Sequence, residues 1–585
     1  MLSFRGGPIY EKFYLLPEPA LHIIFLWILS LASLIIPMSG YSQANKDLSR
    51  TLPDTIKPVQ KDSVELIQDF VPIQDRWRDI KIPPYELYDE GHWYDPYNQN
   101  ILKGDYPIIG QHTFLRLTAV ADNFVEGTRA PTPSGVSSFD PVNEPFFGRG
   151  ERFFVNENLK LSFELYGGDA AYKPRDWELK VTSVFNLNYT RLRENNGVNI
   201  NVRKGKDRTE THIAFQELFV EKHLFNVSDR YDFVSVKAGI QRFGSDFRSF
   251  VFNDFNLGAR LFGNFSSNRI QYNIIYLPML EKETNSELNT VFDKRDQDIV
   301  IANLYVQDFL TLGYTTQVSF LYNHDKSSVH YNENGFPVRP SVAGNVKPHE
   351  IKAYYAGWTG DGHIGALNIT HAFYQVFGDD DFNSFAGRSI TLNAQMAALE
   401  LSVDEDWMRF RVSGFYASGD DNTSDNVGKG FDAILDEPVF AGGSFSYWNS
   451  QDIGLQGVGL VQKASLLPTL RSSKLEGQSN FVNPGIWIAN VGYDAEISPK
   501  LKLTLNANYL RFVTTKVLQD FINQPALHRQ IGIDYGLGLR YRPFLNNNAN
   551  IIIGATALTP LEGFRDIYES SQTLFSFSTS VVFTY

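Results

Sequence analysis

The chain has 585 residues, no cysteine, 14% aromatic residues, a formal charge of −13 and a pI near 5.4. Zero cysteine excludes disulfides, thiolate metal sites, cysteine nucleophiles and a lipid-anchored N-terminal cysteine. The acidic balance argues against nucleic acid as a partner, which wants a basic face.

A mean hydropathy of −0.24 beside 45 Phe and 29 Tyr suits strands on which only every second residue meets an apolar phase. Residues 1–44 read as a secretory signal peptide. Leu21 to Ile36 is an apolar run, and Ser42-Gln43-Ala44 is a small-x-small site with cleavage after Ala44. The run is too short for a comfortable membrane-spanning helix of roughly 20 residues. Glu11 and Glu18 lie before it beside Arg5 and Lys12, so an uncleaved anchor is the alternative. No other stretch is apolar enough for a spanning helix, so a membrane form of the mature chain must be a barrel.

Residues 45–110 are rich in Pro, Asp, Lys and Tyr, with Pro53, Pro58, Pro72, Pro83, Pro84, Pro96 and Pro107. Ser63 to Phe70 could form a short helix, and no strand pattern precedes Gln111. This is expected to be a flexible periplasmic lead that can tuck into a barrel mouth. It is too short for the plug domain of a TonB-dependent transporter.

From Gln111 to Tyr585 the chain alternates with period two. In Leu501–Tyr509, Leu501, Leu503, Leu505, Ala507 and Tyr509 oppose Lys502, Thr504, Asn506 and Asn508. In Ile531–Arg542, Ile533, Tyr535, Leu537, Leu539 and Tyr541 oppose Asp534, Gly536, Gly538, Arg540 and Arg542. Trp177–Tyr189 sets Glu178, Lys180, Thr182, Asn186 and Asn188 on its polar face. Further segments begin near Leu159, His212, Asp232, Asn256, Arg269, Ile299, Gly313, Ile351, His363, Ile390, Met408, Leu455, Gly485 and Asn550. Charges facing lipid cost about 2–4 kcal/mol at the midplane, so the polar faces must line a wet lumen.

Short turns are expected at Gly360–Gly362, Asp404–Asp406, Ser266–Asn268 and Ser498–Lys500. Long extracellular connections are expected at Arg129–Asn158, Glu281–Asp298, His324–Glu350 and Gly419–Asp452. The chain ends on Phe575, Phe577, Val581, Phe583 and Tyr585 opposite Ser576, Ser578, Ser580 and Thr584. An uncapped greasy strand is a liability in a soluble fold but closes a barrel, and terminal aromatics of this kind resemble the sorting signal of bacterial outer-membrane proteins. The expected fold is all-β: a transmembrane antiparallel up-and-down barrel of about 18 strands (16–20) over residues 111–585, wide enough for an aqueous channel.

Two patches resemble the alginate-export family of outer-membrane porins. One is Phe415-Tyr-Ala-Ser-Gly-Asp-Asp-Asn422 followed by Gly430-Phe-Asp432. The other runs Lys237-Ala-Gly-Ile-Gln241, Phe243-Gly-Ser-Asp-Phe-Arg248 and Leu257-Gly-Ala-Arg-Leu-Phe262. The resemblance implies an eighteen-stranded barrel whose basic lumen passes an anionic polysaccharide, with Arg248 and Arg260 in that lining. Ser245 interrupts the family's G-D-x-R pattern, and the Pro-rich lead is foreign to it.

The strand phases place Lys180, Lys237, Arg260, Arg409, Arg411, Lys502, Arg540 and Arg542 inward, with fewer inward acids, chiefly Glu178 and Asp534. The remaining acids, such as Asp379–Asp381, Asp420, Asp421, Asp425, Asp432 and Asp436, are expected in loops. Such a lumen would concentrate anions, unless the bases pair with lumen acids and stiffen the wall. Asp379–Asp381 with Asn383, and Asp420, Asp421 and Asp425, could ligate calcium, but neither matches EF-hand spacing and solvated loops are the plainer reading. The scattered histidines form no metal-binding pair, and Gly442–Ser446 fails the nucleophile-elbow pattern.

The expectation is therefore a non-enzymatic porin in the outer membrane of a Gram-negative bacterium. It would pass a hydrophilic, anionic solute or polysaccharide by passive diffusion, with no cofactor and no metal. Its partners would be outer-membrane lipid, the solute and, during biogenesis, the barrel-assembly machinery. The alternative is a barrel-anchored binding or assembly protein acting through its long loops.

Overall fold

The computed structural model describes residues 101–131, 148–168, 174–194, 206–230, 232–455, 458–460, 464–568 and 571–585. The expected signal peptide and nearly all of the expected lead lie outside them. Eighteen antiparallel strands close into a barrel. They are β1 (Thr113–Arg129), β2 (Gly148–Gly167), β3 (Trp177–Glu194), β4 (Asp207–Asn226), β5 (Phe233–Gly244) and β6 (Asn253–Phe265). Next come β7 (Ile270–Lys282), β8 (Asn289–Val306), β9 (Tyr314–Asp325), β10 (Ile351–Ile364), β11 (Leu367–Asn383) and β12 (Arg388–Glu405). The last are β13 (Met408–Ala417), β14 (Ile486–Ser498), β15 (Leu501–Phe512), β16 (Gln530–Tyr541), β17 (Ala549–Pro560) and β18 (Leu574–Thr584).

The terminal strand performs the predicted closure. β18 pairs with β1 from Val120 opposite Thr584 to Arg129 opposite Phe575. Phe575 and Phe577 point outward and are exposed, while Ser576 is buried inside. A strand that was not expected, Lys103–Ile109, carries on along β1 where β18 stops, with Lys103 opposite Arg116. Lys103 Nζ lies 3.8 Å above the Tyr585 ring and donates to the Leu117 carbonyl at 2.9 Å.

The outer face is an apolar band. Phe185, Ile213, Val318, Phe373, Leu399, Val412 and Ile553 are all exposed on outward positions. Trp487 at one end of β14 and Trp407 in the turn at the other end of β13 mark the two interfaces. A closed wall with an apolar exterior is one of the two structures that can satisfy every backbone group in lipid. With its even strand count this is an outer-membrane β-barrel. No helix among the described residues is long and apolar enough to span.

Connections separate by end. One end carries two-residue turns at 365–366, 406–407 and 499–500 and a four-residue turn at 266–269. The other end carries 326–350, 418–485 and 513–529. The short end is the periplasmic one. Several sequence expectations need correction. Gly360–Gly362 lies inside β10, and most of Glu281–Asp298 belongs to β7 and β8, joined by the turn 283–288. Asp379–Asp381 lies on β11, and the connection expected to run to Asn158 ends at β2, which starts at Gly148. Leu455 belongs to no barrel strand; Gly454–Leu455 pairs with Val458–Gly459 inside the connection 418–485.

That connection is the main departure from the expected wet lumen. The described residues of 418–485 fold into the barrel. Phe431, Ile434, Phe440, Trp448, Leu455, Leu466, Leu470 and Phe481 are all buried. They form one core with inward residues of the wall, including Ile275, Ile299, Leu321, Tyr355 and Met396. The turn 283–288 folds inward too, with Leu288 packing on Val184 of β3 and Ala214 of β4.

The wall is shaped to receive this plug. Gly536 and Gly538 alternate on the inward face of β16, and Gly554 faces inward on β17. Phe445 of the plug occupies the space that their side chains would fill: a Cβ on Gly538 would overlap the Phe445 ring and one on Gly536 the Phe445 carbonyl oxygen. Gly538→Leu should therefore overpack the seat. The expected cost is about 1–3 kcal/mol, read as faster proteolytic cleavage within 418–485 of the folded barrel; an unchanged cleavage rate would refute the seat.

Candidate functional site: the lumen and its plug

The lumen wall is a set of cross-strand ion pairs. On the β1–β5 arc, Lys160 Nζ meets Asp122 at 2.9 Å, Lys180 meets Glu217 at 2.8 Å and Lys237 meets Glu221 at 2.7 Å. Arg175 bridges Glu164 and Glu178 and lies 3.8 Å from the Tyr166 ring centre. On the β10–β15 arc, Arg411 Nε lies 3.0 Å from Asp494, whose other oxygen accepts from Thr504 at 2.8 Å. Arg409 Nη2 donates to Asp404 at 2.9 Å, and Lys502 lies 3.4 Å from Glu496.

Arg248 reaches the second arc from the β5–β6 connection. Its Nη2 donates to Thr370 Oγ1 at 3.0 Å and to Glu400 Oε1 at 3.1 Å, and its Nη1 donates to the Val439 carbonyl of the plug at 3.3 Å. It thus lies between the plug and the wall. Toward the periplasmic turns the charges are half exposed: Arg409 and Asp404 retain 47% and 49% of their side-chain surface.

Of the nine bases expected to line the pore, six are answered by a carboxylate: Lys180, Lys237, Arg248, Arg409, Arg411 and Lys502. Arg260 instead donates from Nε to Asn273 Oδ1 at 2.7 Å and stacks 4.5 Å from the Phe262 ring centre. Arg540 is exposed on β16. Arg542 is not a wall residue at all: β16 ends at Tyr541, and the Arg542 N–H bonds the Lys500 carbonyl at the periplasmic turn. The expectation of few inward acids is also corrected, since Asp122, Glu164, Glu217, Glu221, Glu400 and Asp494 all face inward among the bases.

The acids placed in surface loops divide. Asp432 and Asp436 are buried inside the plug. Arg471 Nε donates to Asp432 Oδ2 at 2.7 Å and its Nη1 to the Ile434 carbonyl at 3.1 Å, so one guanidinium ties two passes of the plug together. Asp436 pairs with Lys474, whose ammonium burial pushes down to about 8. Asp380 on β11 is buried against His349 Nδ1 at 2.7 Å and Asn383 at 3.1 Å, so it lies on a strand and not in a surface loop. Asp421 pairs with Lys429 at 2.7 Å.

Plug and wall are joined at several places, three of them built around Arg295, Asn253 and Asp534. Arg295 of β8 donates to the carbonyls of Leu475 (2.8 Å) and Gly477 (2.9 Å) while paired with Asp325 of β9. Leu435 bridges to Phe252, and its carbonyl accepts from Asn253 N–H at 2.9 Å. On the far wall Asp534, an expected inward acid, accepts from the Tyr447 N–H at 2.8 Å and from the Ser446 hydroxyl. Asn506 and Asn508 both donate to the Ala441 carbonyl, at 3.2 and 2.9 Å.

No family model and no curated relative matches the chain. Similar solved structures include Pseudomonas aeruginosa OccK9 (OpdG), with 10% identity over 80% of this chain and 98% of that one and a TM-score of 0.44. OccK2 (OpdF) from the same organism, solved with glucuronate, has 10% identity over 80% and 97% and a TM-score of 0.42. The P. aeruginosa outer membrane protein opdK has 10% identity over 80% and 98% and a TM-score of 0.41. At these values the likeness carries no inference about this chain's solute.

Two predictions follow from the plug's electrostatics. Arg471→Met leaves the buried Asp432 carboxylate unpaired and should cost about 3–5 kcal/mol, whereas Arg471→Met combined with Asp432→Leu should recover most of it; chemical unfolding of the folded barrel measures both. Burial pushes the Asp420 carboxyl up to about 6. A raised carboxyl contributes stability fully present below its unfolded value near 4 and lost as pH rises through about 6. The wild-type plug should therefore become more protease-sensitive across that window, and Asp420→Asn should flatten the change; equal profiles for the two proteins would refute it.

Proposed function

We propose that the chain is a porin-like channel that passes small hydrophilic solutes by passive diffusion through a lumen narrowed by its own inward-folded connections. The observation that carries this is the half-exposed, charge-paired wall below the plug. Charged side chains on inward strand positions require a hydrated lumen, and pairs such as Arg409–Asp404 keep much of their surface open.

The anionic solute expected from a basic lining is retained only in weakened form. Six of the nine expected bases are neutralised by a neighbouring carboxylate, so local attraction for anions is offset within each pair. A charge-balanced wall favours small polar solutes over an extended anionic polysaccharide, for which the buried plug leaves a poor path. Of what the alginate-exporter resemblance implied, the eighteen strands stand, while the family and its cargo do not. A surface-binding role is disfavoured, because the longest described connection folds inward. We further propose that the mature chain starts at Asn45 and that β18 is the segment read by the barrel-assembly machinery.

In a planar bilayer under a salt gradient, the full mature chain should show discrete conductance steps with a reversal potential close to zero. Glu400→Gln and Asp494→Asn should each move that potential toward anion preference by unpairing Arg248 and Arg411. Inserted barrels without steps would overturn the channel; strong wild-type anion preference would overturn the balanced wall.

A further inference from the structure

The plug anchor on β14–β16 has a counterpart five strands further round the wall. In the anchor, Asn508 faces Asn490 on one neighbouring strand and Asp534 on the other. Asn490 Nδ2 donates to Asn506 Oδ1 at 2.5 Å and to Asn508 Oδ1 at 2.7 Å. Those two bonds leave the amino groups of Asn506 and Asn508 free to donate to the Ala441 carbonyl, Asn508 donating also to Asp534 Oδ2 at 2.8 Å. Asp534 alongside accepts the plug's Tyr447 N–H. The set thus grips an acceptor and a donor of a peptide backbone together.

On β1–β3, Asn158 faces Asn186 on one side and Asp122 on the other. Asn186 Nδ2 donates to Asn156 Oδ1 at 2.5 Å and to Asn158 Oδ1 at 2.8 Å. This is the same Asn-x-Asn strand, the same bridging asparagine and the same flanking aspartate, related by a half-turn about the wall normal because β2 and β15 run in opposite directions. Asn186 is buried, whereas Asn156 and Asn158 are only partly so, and among the described residues no acceptor meets their amino groups. Asn188, opposite Asn156, is 1% exposed, and its Oδ1 is buried without a hydrogen-bond partner. Asp122 keeps 29% of its side-chain surface, with one oxygen held by Lys160. The differences from the anchor are Phe124 where Gly536 stands and Asn188 where Gly492 stands.

We infer that Asn156, Asn158, Asn186 and Asp122 form a luminal subsite for a ligand with two secondary amides, one whose carbonyl takes the two asparagine amino groups and another whose N–H takes the aspartate, as Ala441 and Tyr447 supply them in the anchor. Both a short peptide and a di-N-acetylated disaccharide carry such a pair. The inference deepens the channel reading and rests on solutes reaching the lumen. A half-buried asparagine pair backed by the buried Asn186 and Asn188 is selective because a ligand lacking the amides leaves polar atoms unmatched.

Saturation-transfer NMR on the full mature barrel in micelles tests it without requiring conduction. The probes are N,N′-diacetylchitobiose, trialanine and, as the amide-free control, cellobiose. Transfer to the acetyl methyls or to the alanine methyls is expected in the wild type, naming the sugar or the peptide as the source. It should be lost in Asn158→Ala and separately in Asn156→Ala, and cellobiose should show none. Transfer to cellobiose equal to that of the amide probes, no transfer to either amide probe, or transfer that survives both variants would overturn the subsite. A barrel that binds but does not conduct would fail as a channel only; one that conducts but does not bind would fail here only.

Discussion

Everything in this molecule depends on the hydrogen-bonded seam between β18 and β1. In lipid an open sheet edge leaves unsatisfied N–H and C=O groups, each costing several kcal/mol, so the wall must close. Closure with eighteen strands fixes a circumference, and that circumference encloses more space than inward side chains alone can fill. The chain resolves this by folding residues 418–485 inside. Seen this way, the apolar plug core and the wet, charged vestibule are two answers to one geometrical fact. Near the plug the wall turns apolar (Ile275, Ile299, Leu321) or loses its side chain (Gly536, Gly538). Toward the periplasmic turns it stays charged.

The same low dielectric governs the charges. An isolated inward base beside an apolar plug would pay a desolvation penalty of several kcal/mol. Cross-strand carboxylates remove most of it, and strand register decides which can. Lys180 meets Glu217 and Arg411 meets Asp494 because of where neighbouring strands align. Arg471 and Asp432 apply the rule inside the plug, where the guanidinium also satisfies backbone carbonyls.

This explains what was legible in the sequence. Strand existence and facing come from period-two alternation within one segment, so β3, β15 and β16 were readable down to which residues face inward. Partnership is a property of two segments and needs register, which alternation does not encode. Alternation therefore does not reveal Glu217 as the partner of Lys180, nor Glu400 as that of Arg248, which a connection carries across to it. Arg542 was misplaced because alternation continues one residue past the end of β16 into the turn. The plug is not legible by the same rule, because a segment without alternation resembles a surface loop. Its apolar content, with Ile434, Leu435, Phe440, Trp448, Leu466 and Leu467, was the available signal, since exposed connections rarely carry so many large apolar side chains.

The glycines and asparagines carry a further lesson about what lumen patterns mean. Gly536 and Gly538 alternate in phase with Asp534 and Arg540, which in an empty lumen would merely leave a smooth patch. Their side-chain space is taken by Phe445, so small inward residues mark where another part of the chain must approach closely. Asn506-x-Asn508 likewise could pass for generic pore polarity, yet both amino groups donate to one plug carbonyl, and Asn508 also to Asp534. An inward Asn-x-Asn with a bridging asparagine and a flanking aspartate is thus a backbone-gripping device in this wall. The plug occupies it on β14–β16, while on β1–β3 no part of the described chain does, and the second set consequently faces whatever the lumen admits.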